Sequence, residues 1–431
     1  MLPILVFAAA LAANGCDFTK FDDLADKAPA TRLEAGNGKP LLGFAKLDDA
    51  PGGILLMAST EGGGSISQIR VDENGSTTTN KTASDDYVAP NKLNLDGYFV
   101  RSFAPIWKDA DTGSTDSGPL AFVGSTAGTS GKIQLLDTDS WRQKTLVAEE
   151  NVDEFGIALA PLRFSHPENI RDLLVGAQGR VFLIDGSAYP LFTHVPCNVD
   201  GGLASHIYSS LAAGQLGSAP TLAVVAAPAA NFVTVMGNLE ALAPLTTTSD
   251  CSAATYTQIE APPGALQFGA ALLVNDIEGD LDLDVLVGAP EEAGGGAVYL
   301  YDSAVGYTPE QATKITAPEG AALFGTSLAL GSFDGSNPML AVGAPGSKDG
   351  TGSVYLYKIS HLTAVGSTSF TPFGVIEVDR SGDKLGMGLA GVPFKKGTTT
   401  HDLLIVGAKS SALVLWSNTT SEHKDYRSDA P

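Results

Sequence analysis

One stretch of this chain is written over and over, and that repetition limits the possible folds more than any other feature. The clearest copy runs from Phe268 to Asp302. Phe268-Gly269 opens a short apolar run, Ala270 to Val274. An acidic loop follows, from Asp276 to Asp284. A second apolar run, Val285 to Val287, ends in Gly288-Ala289-Pro290. After a glycine cluster comes Ala297-Val298-Tyr299-Leu300-Tyr301. Short runs rich in Val, Leu and Tyr, cut by Gly and Pro, are strand signals. The unit therefore reads as strand, acidic loop, strand, turn, strand.

Phe324-Gly325 opens another copy, with Gly343-Ala344-Pro345 and Ser353 to Tyr357. Phe155-Gly156 opens a third, with Gly176-Ala177 and Arg180 to Asp185. Leu385-Gly386 opens a fourth, with Gly407-Ala408 and Ala412 to Trp416. Three fainter copies begin near Gly43-Phe44, Ser102-Phe103 and Tyr208-Ser209. Seven copies at a period of about 57 residues indicate a repeat array or a propeller.

The Phe-Gly…Gly-Ala-Pro pairing around an aspartate loop resembles the FG-GAP repeat of integrin α-subunit propellers and their bacterial relatives. The resemblance covers nearly the whole chain, from about Thr31 to Trp416. It implies an all-β fold, a seven-bladed β-propeller of four-stranded blades. Thr31 to Ala35 is similar to the segments that close other copies, such as Lys314 to Pro318, Gln258 to Pro262 and Val375 to Val378. The final copy stops near Trp416 with no such segment of its own. Thr31–Ala35 is therefore expected to supply the missing strand of the last blade and so remove an exposed sheet edge.

Composition agrees with stacked sheets. The chain has 431 residues, with 49 Gly and 24 Pro for turns and 44% hydrophobic residues for packing. Charged residues are 17% of the chain, below the usual ~25%, so sheets buried on both faces are expected. The formal net charge is −22. Binding nucleic acid through phosphates needs a basic footprint, and none is visible. Nucleic acid is excluded as a partner on that ground.

The N-terminus reads as an export signal. Leu2 to Ala13 is mostly apolar and is followed by Asn14-Gly15-Cys16. This run is too short to span a bilayer, which takes ~20 residues, and suits a secretory signal. Small residues before Cys16 look like the lipobox of bacterial lipoproteins, which implies acylation of Cys16 after cleavage. The expected organisation is a signal peptide over 1–16, a polar tether over 17–30, the propeller over 31–416 and a polar tail over 417–431. The expected location is the bacterial cell envelope, with a lipid anchor on Cys16 holding a monomeric protein at the outer membrane or cell surface.

Cys197 and Cys251 remain. Each is read as lying between the third and fourth strands of its copy. An exported protein permits a disulfide, but equivalent places in adjacent copies need not bring the Cα atoms within reach. A Cys197–Cys251 bridge and two free thiols both stay open.

The acidic loop is the strongest chemical feature. Counting from Asp276, oxygen side chains fall at alternate positions: Asp276, Glu278, Asp280, Asp282 and Asp284. Calcium takes six to eight oxygen ligands, and a tight loop with alternate carboxylates can aim several of them at one centre. In the family, the positions matching Asp276, Glu278, Asp280 and Asp284 give side-chain ligands, and that matching Asp282 gives its backbone carbonyl. A structural Ca2+ is the implied cofactor. Two departures stand out: Glu278 in place of Asp or Asn, and Leu281 where Gly is frequent. The other copies keep too little of the loop to be assigned a metal, although Asp172 and Asp334 survive.

Catalytic motifs are missing. The six histidines show no HExxH spacing, and there is no Gly-x-Ser-x-Gly elbow. The chain is expected not to be an enzyme. It is expected to be a binding or adhesion protein that uses loops to recognise a protein or polysaccharide partner. The alternatives are a scaffold subunit of an envelope complex, or a propeller enzyme acting on polysaccharide.

Overall fold

The computed structural model describes residues 30–34, 41–46, 53–59, 65–71, 77–83, 99–106, 120–127, 130–137 and, with short breaks, 143–415. The expected signal peptide, Cys16, nearly all of the tether and the C-terminal tail lie outside the described residues, as does Asp334.

The strands form four-stranded antiparallel sheets, seven of them among the described residues. In six, four consecutive strands meander. The fifth sheet, which carries the acidic loop, comprises Leu272–Asn275, Asp284–Ala289, Ala297–Tyr301 and Thr313–Thr316. The third comprises Leu159–Leu162, Asp172–Gly176, Val181–Asp185 and Thr193–Cys197. The sixth runs from Ser327–Gly331 to Gly374–Glu377. The seventh sheet departs from the meander. Its outer strand is Ala30–Glu34, paired antiparallel with Ser411–Leu415 from Ala30 opposite Leu415 to Glu34 opposite Ser411. The first strand of each sheet lies against the first strand of the next. That of the seventh, Gly388–Lys396, lies against that of the first, Leu41–Lys46.

The packing follows from composition. Second and third strands are buried at every position in the third and fifth sheets, as expected of sheets covered on both faces. Phe155, Phe268 and Phe324 of the repeat openings are fully buried. Phe268 meets Tyr299 and Tyr301 edge-on, with ring centroids 5.9 and 6.4 Å apart. Phe324 treats Tyr355 and Tyr357 the same way, at 5.8 and 6.2 Å. Each such ring removes about 150–250 Å² from water, so the opening Phe serves as a plug between layers.

The two halves of the repeat motif turn out to be one contact. Within a sheet, the N–H of the opening Gly donates to the carbonyl of the Gly-Ala-Pro glycine. This occurs in Gly156 to Gly176 (2.9 Å), Gly269 to Gly288 (2.9 Å), Gly325 to Gly343 (3.0 Å) and Gly386 to Gly407 (2.9 Å). Between sheets, the carbonyl of the opening glycine presses on the glycine of the preceding sheet. A Cβ on Gly288 would stand 2.0 Å from the Gly325 oxygen, and one on Gly343 would stand 2.2 Å from that of Gly386. In the sixth sheet, the Ser327 hydroxyl also donates to the Gly386 carbonyl, at 2.8 Å.

One expectation needs correcting. Cys197 does not precede the fourth strand of its sheet; it is the last residue of that strand, opposite Val181. Pro196 disguised the strand in the sequence. A proline lacks the ladder donor, yet an outermost strand tolerates it because that N–H would face solvent.

Candidate functional site

The acidic loop joins the first two strands of the fifth sheet. Its path is set by backbone amides donating to its own carboxylates. Asp276 Oδ1 accepts from the N–H groups of Gly279 (2.6 Å) and Asp280 (3.1 Å), and its Oδ2 accepts from Leu281 (3.2 Å). Asp280 Oδ1 accepts from Asp282 N–H at 3.0 Å. Asp284 Oδ2 accepts from Ile277 N–H at 2.8 Å. Leu281 has φ 73°, the left-handed conformation that favours glycine. It is 78% exposed, so the loop keeps this turn at a backbone cost and gains no burial from the leucine.

The five carboxylates are not equivalent. Glu278, Asp280 and Asp282 are exposed, Asp276 is half-buried and Asp284 is buried. Desolvation drives the Asp284 carboxyl up to about 6, and the neighbouring Asp302 and Glu278 charges add to the rise. Glu278 is also raised, by desolvation first and then by Asp302, Asp280 and Asp276. The Tyr307 hydroxyl is raised by burial and by the charges of Asp284, Asp282 and Asp302. Asp302 and Tyr307, which follow the third strand, therefore belong to the same electrostatic neighbourhood. The loop spacing pointed to neither of them. The signal that could have found Asp302 is its place directly after the Tyr299–Tyr301 strand, across from Asp284.

Among the described residues, no three Asp, Glu, His or Cys side chains converge on a common point. The loop carboxylates instead hold its own amides. The test of whether these residues suit a hard cation lies at Asp284. Its Oδ1 is buried and makes no hydrogen bond. The backbone amides of Ile277 and Ser303 both favour the ionised form of Asp284, against its burial. A buried carboxylate oxygen without a partner is costly. Carboxylate oxygens are the donors calcium takes, so the residue types and the orphaned Asp284 oxygen fit a hard cation.

Asp276 and Glu278 also border a cleft of about 620 Å³ shared with the sixth and seventh sheets, where Leu330, Pro338, Ile359 and Asp402 contribute. Asp402 Oδ2 accepts from Ser332 N–H at 2.6 Å, tying the seventh sheet to the sixth.

Cys197 and Cys251 come together, with Cα atoms 5.2 Å apart and a sequence separation of 54. This lies inside the range a disulfide requires. The pair spans from the end of the third sheet to the loop before Thr255–Ile259, the last strand of the fourth sheet. No helix among the described residues is long and apolar enough to cross a membrane.

No family model matches the chain. Over 146 residues, 32% of its length, the chain is 36% identical to integrin alpha-7 of Mus musculus, and the matched stretch is 12% of that protein. Integrin alpha-7 of Rattus norvegicus matches to the same extent. Over 157 residues, 35% of the chain, identity to integrin alpha-7 of Homo sapiens is also 36%, across 13% of that protein. The chain thus spans only 12–13% of the length of these curated relatives, to which it is similar over about a third of its own.

Proposed function

We propose that this chain is a propeller-type binding or adhesion protein, exported to the bacterial cell envelope. In this reading the sheets are seven blades of one closed ring. Ala30–Glu34 completes the last blade and ties the two ends of the chain together. The observation that carries the functional reading is the likeness to integrin alpha-7 over a third of the chain. The pairing of Ala30–Glu34 with Ser411–Leu415 and the contact between the first strands of the seventh and first sheets support the ring. Closure of this kind leaves no free sheet edge.

The reading assigns a structural calcium ion to Asp276, Glu278, Asp280, Asp282 and Asp284. When bound, the ion supplies a positive centre that neutralises the loop. The orphaned Asp284 oxygen supports this. The chain's own contribution is to hold Asp276 and Asp284 in fixed orientations through the amides of residues 277 and 279–281. The reading also includes a lipid anchor on Cys16, a Cys197–Cys251 disulfide and recognition of a protein or polysaccharide partner through loops. Fold alone does not name that partner.

The test is a thermal melt of the purified chain in EDTA and in millimolar calcium, beside Asp284→Ala. Immobilised chain is then offered envelope protein and polysaccharide fractions under both conditions. The expected result is a calcium-dependent rise in melting temperature that Asp284→Ala loses, and saturable partner capture without turnover. Release of soluble sugar from the polysaccharide fraction would replace the binding reading with an enzymatic one.

A further inference from the structure

The fifth sheet places a carboxylate from outside the loop directly across from the loop's last one. Val285 is paired with Tyr301. One position further out, the antiparallel ladder sets Asp284 beside Asp302. Like charges directly opposite on neighbouring strands destabilise a sheet, and here one of the two is 1% exposed.

The third sheet contains the same pair and supplies a comparison. Leu173 is paired with Ile184 there, which sets Asp172 beside Asp185. Both carboxylates are buried. In that sheet the protein itself supplies donors: Gly186 N–H reaches Asp172 Oδ1 at 2.8 Å, and Leu245 N–H, from the connection between Phe232–Gly237 and Thr255–Ile259, reaches Asp185 Oδ2 at 3.1 Å. In the fifth sheet, Asp302 Oδ1 accepts from its own turn, from Ala304 N–H at 2.7 Å. The buried Oδ1 of Asp284 has no hydrogen bond at all. Both sheets give the first carboxylate of the pair an amide donor, Gly186 in the third and Ile277 in the fifth, but in the fifth the other oxygen of Asp284 stays buried and unbonded beside an acidic loop.

We propose that Asp302 is a further member of the cation site, so that the bound ion ties the loop to the end of the third strand. The inference rests on the calcium reading of the loop and extends it to a residue that loop spacing does not reach. Its consequence is mechanical. A cation held by the loop alone would brace one connection, whereas one shared with Asp302 fastens the first three strands of the sheet at one edge. Tyr307, whose hydroxyl senses Asp284, Asp282 and Asp302, then stands close enough to the ion to report on it.

The test uses the full chain, with terbium as a luminescent probe excited through tyrosine and calcium as its competitor. Wild type, Asp302→Asn, Asp302→Glu and Asp284→Asn are compared, each with a melt in EDTA to show that it folds. Asp302→Asn is expected to lose roughly tenfold or more in calcium affinity. It should melt at or above the wild-type temperature in EDTA, because the opposed charges are gone. Asp302→Glu should recover part of the affinity. Calcium affinity of folded Asp302→Asn equal to wild type, with Asp284→Asn impaired, would overturn the role of Asp302 and leave the calcium loop standing. No calcium binding by wild type would overturn both.

Discussion

Gly288 and Gly325 lie in neighbouring sheets, and a Cβ added to Gly288 would stand 2.0 Å from the Gly325 carbonyl oxygen. This contact gives the repeat its letters. The opening glycine, Gly325, uses its N–H inside its own sheet and turns its carbonyl toward the sheet before it. Only a residue without a side chain can meet that carbonyl.

Gly288→Ala is therefore expected to force two sheets apart. The cost should be about 3 kcal/mol or more, in the range of severe overpacking. Gly264→Ala is the control. Gly264, unlike Gly288, has a positive φ, of 88°, but a Cβ there would meet nothing within 4 Å. Its cost should be only the backbone strain of about 1 kcal/mol. Urea unfolding of the two variants separates steric collision from conformational strain. Equal losses would show that close approach is not what demands glycine at 288.

The Cys197–Cys251 pair gives a second expectation. A bridge closing a loop with 54 residues of sequence separation is expected to contribute about 2–4 kcal/mol, mainly by restricting the unfolded chain. Mass spectrometry without reduction should find the two cysteine peptides joined. Cys251→Ser should lower the melting temperature, and a reducing agent should lower that of wild type to match. A reducing agent should then leave Cys251→Ser unchanged. Free thiols in protein purified from an oxidising compartment would refute the bridge.

A third expectation concerns pH in the absence of divalent cations. Folding raises the Asp284 carboxyl to about 6, while in an unfolded chain it ionises near 3.9. Between these values the folded chain binds more protons, so its stability falls as pH rises from about 4 to 6 and stays low above that. In EDTA the protein should therefore become more stable as pH drops from 7 toward 5, by about 1 kcal/mol. Other carboxylates oppose the trend at lower pH. Asp284→Asn should flatten this rise, and calcium should reverse it by favouring the ionised form. Indistinguishable pH profiles for wild type and Asp284→Asn would show that this carboxyl does not control the slope.

The repeat, the strand order and the alternating carboxylates from Asp276 to Asp284 were legible in the chain because each is a local property. Alternating apolar runs, turn residues and short-range spacing leave a direct trace in sequence. The all-β class followed from them, and so did the expectation that a segment near Thr31 would find an edge strand. Other properties depended on which distant residues meet. Cys197 and Cys251 are 54 residues apart, and only sheet-to-sheet packing sets their Cα atoms 5.2 Å from each other. Pro196 hid the strand that carries one of them, because its tolerance depends on lying at a sheet edge. The unequal burial of five similar carboxylates came from the neighbouring strands. Antiparallel register set Asp302 beside Asp284, a relation that no single stretch of sequence contains. Even the repeat motif, plain as letters, acquired its physical meaning only when Gly288 met the carbonyl of Gly325 across two sheets.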